Sequence, residues 1–172
     1  MQINPRDLLA FKMMYRYGLR VGELIQMKVS DFKPNAQNPL EVEIRRLKNN
    51  VTRHYPVAPD DVRILRKWLK KRKKGRDWLF PGYSEVGHIT KIAMQKLNER
   101  VTTSIGLPKE KTTSIHMWRH SCCVHLLLKG EDIKRVQFWL SHSSLASTEV
   151  YSNIAPEHWV EASKQMLERF TI

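Results

Sequence analysis

Two short extended stretches in an otherwise helical chain narrow the fold most. Leu40 to Ile44, LEVEI, alternates apolar and charged residues as a strand with one buried face does, and RHYPVA at residues 53–58 is a second extended segment after the linking RLKNNVT. Together they predict a hairpin. Most of the remaining chain is spaced for helices. Asn4 and Pro5 form an N-cap and N1 pair, and Leu8, Leu9, Phe11 and Met13 follow at helical spacing up to Gly18. Residues 20–28, RVGELIQMK, predict a second helix, which the turn residues of VSDFKPNAQNP then end. From Asp60 the apolar positions Val62, Leu65 and Leu69 form an inward stripe that Gly75 stops. After DWLFPGYS, further helical stretches run from about His88 to Ile105, Ile115 to Lys129, Asp132 to Leu140, Ser147 to Asn153 and Pro156 to Phe170. The predicted class is mainly α with a small antiparallel β-sheet (α+β). The 172 residues fit one domain, and 41% hydrophobic residues suffice for a core.

Charge points to a partner. Thirty Lys plus Arg against seventeen Asp plus Glu leave a formal charge of +13, which suits a polyanion, nucleic acid first; the alternative is a basic surface with no role. Eight basic residues fall between Arg66 and Arg76. They form either a solvated helix face or a phosphate-contacting one, with Arg66, Lys70, Lys71, Lys73 and Lys74 as the DNA-binding candidates. No apolar run approaches the roughly 20 residues a membrane span needs, and MQINPRDLL lacks a signal-peptide core, so no membrane partner is expected and the cytoplasm or nucleoid is the expected location. Cys122 and Cys123, adjacent in a helix-like run, can neither staple distant segments nor form a Cys-x-x-Cys pair, and read as reduced core thiols.

Three clusters could carry chemistry. In SIHMWRHSCCVHLLL, residues 114–128, helical spacing projects His116, Arg119 and His120 together at the start of a packed face, where free N–H groups and the helix dipole suit an anion. Two structural histidines beside a surface Arg would explain the same pattern. Zinc fits worse, because the helix lacks the Glu of His-Glu-x-x-His and no further ligand is evident. In GLRVGEL, Arg20 has Glu23 three residues on as an orienting partner. In LSHSSLASTEVYSNI, His142 stands nine residues before Tyr151.

Arg20 in GLRVGEL, His116 and Arg119 in HMWRH, His142 in LSH and Tyr151 in STEVYSNI resemble, in order and spacing, the catalytic domain of the tyrosine recombinases, the phage-integrase family. The resemblance runs from about Asp7 to Phe170, and Lys48 in LKNNVTRHYPV takes the place of the family's β-turn lysine. Asn49 and Asn50 replace the glycine common in that turn, and Ser141 stands where LGH is more usual. The resemblance implies the family's mostly helical fold with a small sheet. It also implies site-specific DNA recombination or integration without metal or other cofactor, with His120 and Glu23 as supports. Residues 1–172 are expected to be the catalytic domain alone, without the N-terminal DNA clamp of the family. A homo-tetramer on a double-stranded recombination site, joined through the C-terminal helix with its Trp159, Met166 and Phe170, is expected, with a monomer in the absence of DNA.

The chemistry such residues can perform is definite. Breaking a phosphodiester needs a nucleophile, cations for the non-bridging oxygens of a phosphorane-like transition state, and a proton for the departing 5′-oxygen. Tyr151 offers a phenol whose ordinary pKa, about 10, requires activation. Arg20 and Arg119 can grip phosphate oxygens bidentately, His142 can add a donor, and His116 can accept the phenol proton. Lys48 resembles the family's general acid. A type IB topoisomerase, which reseals the original strand, and a DNA-binding module with a decayed site are the alternatives.

Overall fold

The computed structural model describes residues 3–34, 40–48, 50–72, 77–83, 87–108 and 114–141. Among them are six α-helices: α1 (Pro5–Arg16), α2 (Val21–Ile25), α3 (Pro59–Lys71), α4 (Lys91–Ser104), α5 (Met117–Leu128) and α6 (Ile133–Leu140). Three strands, β1 (Phe32–Lys33), β2 (Glu41–Arg46) and β3 (Val51–Pro56), form an antiparallel sheet in the order β1-β2-β3. The predicted mainly α class with a small antiparallel sheet is what the chain adopts.

Local chemistry explains the boundaries. Asn4 caps α1 by accepting the Asp7 N–H at 2.9 Å, and Pro5 at N1 donates nothing that would be missed. The helix stops at Arg16 because Gly18 turns left-handed at φ +58°. Helix α2 is shorter than predicted, ending at Ile25, and a single 3-10 turn at Val29–Asp31 follows. Thr90 caps α4 by accepting the Ala93 N–H at 3.1 Å, so the helix begins after His88, which instead pairs with Pro81 in an isolated bridge. Asp132 caps α6 through the N–H groups of Lys134 and Arg135.

The hairpin is real and two residues longer at the end of its first strand than LEVEI implied. Its register pairs Val42 with Tyr55 and Arg46 with Val51, and the turn lies between. Strand β1 was not predicted: two residues are too few for alternation to show, and Phe32 joins β2 only by pairing with Val42.

Helix α1 is the hub, packing on both α3 and α5. Leu9, Met13, Met14, Leu24, Ile44 and Met94 are almost wholly buried in one core. A smaller cluster of Cys122, Cys123, Val136 and Leu140 joins α5 to α6, and both cysteines are free and buried, as expected. Ion pairs fasten α1 to α3: Arg16 Nη1 lies 2.7 Å from both Asp60 Oδ1 and Asp61 Oδ2, and Lys12 reaches both carboxylates. Among the described residues no helix is long and apolar enough to cross a membrane. The predicted helices at Ser147–Asn153 and Pro156–Phe170 lie outside the described residues.

Candidate active site

The site is organised around the C-terminal end of α1. A helix leaves its last carbonyls unpaired and carries partial negative charge there, so donors and cations are favoured. Three neighbouring elements supply them. The Trp139 indole of α6 donates to the Arg16 carbonyl at 3.0 Å, and Arg46 of β2 donates to the Tyr17 carbonyl at 2.8 Å. Arg119 of α5 donates through Nη1 to the Gly18 carbonyl and through Nη2 to the Leu140 carbonyl at 2.6 Å. The turn that leads into Arg20 is thereby locked between α5, α6 and the sheet.

Arg20 is the N-cap residue of α2 and is half-buried. Its backbone N–H and its Nη1 donate to the two oxygens of Glu23, at 2.9 and 3.0 Å. The Glu23 side chain is 0% exposed and also accepts from Arg46 Nη1 at 3.0 Å and from the Leu47 N–H at 3.3 Å. The expected orienting role of Glu23 toward Arg20 therefore has a geometry: one carboxylate holds Arg20 and the start of the turn that bears Lys48. Lys48 itself is exposed in that turn.

Helix α5 separates the residues of HMWRH. His116 is the N-cap residue, and His116 and His120 are both exposed, whereas Arg119 is only 7% exposed. Helical spacing placed the three on one exposed end. The helix is instead rolled so that Arg119 faces Gly18 and Leu140, because their carbonyls need its donors. Burial, followed by the charges of Arg20 and Arg46, pushes the Arg119 guanidinium down to about 10, so it stays protonated at neutral pH. Desolvation lowers His116 from its ordinary value, and the nearby charges of His120, Arg119 and Arg20 lower it further. Its neutral, proton-accepting form is favoured. Burial raises Cys122 to about 12 and Cys123 to about 11, which keeps both as unreactive thiols.

The structure thus brings Arg20, Glu23, His116 and Arg119 into one electrostatic neighbourhood, although nearly a hundred residues separate Arg20 from Arg119. His142 and Tyr151 lie outside the described residues, as do Lys73 and Lys74. Arg66, Lys70 and Lys71 are exposed along α3. Among the described residues no three His, Cys, Asp or Glu side chains gather as a metal site would require. Arg46 was not among the candidate site residues, yet its side chain is 0% exposed. Alternation carried two residues past Ile44 would have placed it on the inner face with Val42 and Ile44.

Residues 2–158 match the phage integrase family. The tyrosine recombinase XerD of Rhizobium meliloti is 28% identical over 149 residues, covering 85% of this chain and 46% of that protein. The tyrosine recombinase XerA of Pyrococcus horikoshii is 28% identical over 161 residues, covering 92% of this chain and 54% of its own. The chain thus spans about half the length of these curated relatives. Among solved structures, the XerH site-specific recombinase bound to a palindromic difH substrate in a post-cleavage complex superposes with a TM-score of 0.77 at 26% identity, over 95% of this chain and 47% of that one. With the fold, the paired guanidiniums and these likenesses in agreement, the chain belongs to the phage integrase family, the tyrosine recombinases.

Proposed function

We propose that this chain is the catalytic part of a site-specific DNA recombinase or integrase acting on a double-stranded site. The observation that carries the reading is the convergence of Arg20 and Arg119 beside His116, with both guanidiniums oriented by protein oxygens. Two planar cations fixed in advance suit a phosphate whose non-bridging oxygens gain charge in the transition state. XerH was solved on its DNA substrate, which supports DNA as the partner here.

In this mechanism the Tyr151 oxygen attacks the scissile phosphorus while its proton passes to His116. The bond to the 5′-oxygen breaks, and Lys48 supplies the proton that oxygen takes up. The product is a 3′-phosphotyrosine ester plus a free 5′-hydroxyl. Attack by a partner strand's 5′-hydroxyl reverses these steps and returns the phenol. Arg20, Arg119 and His142 stabilise the charge in both directions, and Glu23 and His120 support them. No metal is required, since guanidiniums take the place of a Lewis acid. Arg66, Lys70, Lys71, Lys73 and Lys74 contact the DNA backbone, and the intact protein works as a homo-tetramer on DNA, coupled through its C-terminal helix, in the cytoplasm or nucleoid.

The test uses a nicked suicide DNA substrate carrying the candidate site, incubated in EDTA with wild type and with Tyr151→Phe and resolved on a denaturing gel. A slower-migrating covalent band in the wild type alone is the expected result. An equal band from Tyr151→Phe overturns the assignment of the nucleophile. Relaxation of supercoiled plasmid without exchange between two sites would favour a topoisomerase.

A further inference from the structure

We propose that Arg46 is a positioning residue for strand cleavage, acting through Glu23 on both Arg20 and the turn that carries Lys48; this rests on the proposed recombinase activity. Arg46 sits at the end of β2 with its side chain fully buried. Its Nη1 donates to Glu23 Oε2 at 3.0 Å, and its Nη2 donates to the Tyr17 carbonyl at 2.8 Å, the Tyr55 hydroxyl at 2.7 Å and the Trp139 carbonyl at 3.0 Å. The Tyr55 hydroxyl donates to the same Trp139 carbonyl at 2.7 Å. One guanidinium therefore ties together the end of α1, the last turn of α6, the hairpin and the carboxylate beside Arg20.

Stability alone does not account for a charge in this place. Removing a guanidinium from water is expensive, and well-packed apolar side chains commonly serve a buried position as well or better. Val42 and Ile44, on the same face of β2, already do so. Arg46 Nε is buried with no partner, so the side chain is placed for what its two terminal nitrogens reach. What they reach is directional. Glu23 spends one oxygen on the Arg20 guanidinium and the Leu47 N–H, and the other on Arg46 and the Arg20 N–H. Fixing the carboxylate plane with Arg46 fixes where Arg20 points and where the residue before Lys48 begins its turn. The Trp139 carbonyl does the same for the end of α6, from which the chain runs on toward His142.

A purely structural role and a positioning role differ in what they do to the chemical step. The variants are Arg46→Met and Arg46→Lys in the full chain, assayed for DNA affinity and for single-turnover adduct formation. Two suicide substrates are compared, one with an ordinary scissile phosphodiester and one with a methylphosphonate, which lacks the negative non-bridging oxygen that Arg20 would grip. Arg46→Met is expected to bind DNA within about 2-fold of wild type and to form adduct about 100-fold more slowly on the phosphodiester, the scale on which small misplacements act. On the methylphosphonate that difference shrinks to a few-fold. Arg46→Lys, which keeps charge without the fork, falls between. If Arg46→Met does not fold, Arg46→Lys carries the same comparison. Equal loss on both substrates, or adduct formation at the wild-type rate, overturns the proposal alone. A wild type that forms no adduct with either substrate overturns the recombinase reading and this inference with it.

Discussion

Gly18 links the site through its backbone: its carbonyl accepts from Arg119. Its backbone is left-handed at φ +58°, and a Cβ placed there would collide with Leu140 Cδ2, a side chain that is itself 0% exposed. Gly18→Ala is expected to destabilise the fold by about 2–3 kcal/mol, combining left-handed strain with overpacking, as measured by chemical denaturation. It should also slow cleavage, because the Gly18 carbonyl anchors Arg119. His116 makes a pH prediction. Its affinity for a proton is depressed below the ordinary 6.5, so the base we propose is neutral at neutral pH, and the single-turnover cleavage rate should climb from acid pH to a plateau before pH 7. His116→Ala removes that inflection. The same depression means that unfolded chain binds the proton more tightly. The corresponding stability is present above pH 6.5 and is lost as pH falls below it. Ser141 and Asn50 stand where glycine is the more usual residue in the family. Both have positive φ, 52° and 50°, so each is a non-glycine in a left-handed turn, a conformation that Asn tolerates best.

At the scale of elements, the ion pairs between α1 and α3 set the platform from which Arg20 emerges. The Asp61 side chain is 0% exposed and faces Arg16 and Lys12, which are 35% and 25% exposed. Water can partly take over those cations, so Asp61→Ala is expected to lose about 2 kcal/mol, less than a fully buried pair would, read from the shift in denaturation midpoint. Asp60, held well below the usual carboxylate range by Arg16 and Lys12, contributes stability above its ordinary value of 3.8 that fades as pH falls below it. Helices with a strong cap or a long apolar stripe were legible in the sequence: Asn4–Pro5 and Asp132 mark beginnings that the structure keeps, whereas the start expected near His88 moves to Lys91, after the Thr90 cap. The roll of α5 was not legible. Helical spacing grouped Arg119 with two exposed histidines, but carbonyls at Gly18 and Leu140, remote in sequence, drew it inside. Arg46 escaped for the same reason, since its partners lie on α1, α2 and α6.

For the whole molecule, a charge of +13 should make the proposed DNA binding steeply salt-dependent. Each phosphate contact contributes about −0.9 to the slope of log K against log salt, so replacing both Lys70 and Lys71 with Ala should flatten the slope by about 2. An unchanged slope in fluorescence-anisotropy titrations would mark the exposed face of α3 as solvated surface. The hairpin, meanwhile, is bolted to α6 at several points: Arg46 and Tyr55 on the Trp139 carbonyl, the Tyr55 ring 4.8 Å from that of Trp139, and the Arg53 guanidinium 3.7 Å over Phe138. This sets the boundary of exchangeable modules for anyone building chimaeras. A lysine-bearing turn grafted from a relative at Leu47–Asn50 would leave every bolt in place. A graft of the entire hairpin would have to bring its own α6, or strand a carboxylate and a carbonyl in the interior with nothing to answer them.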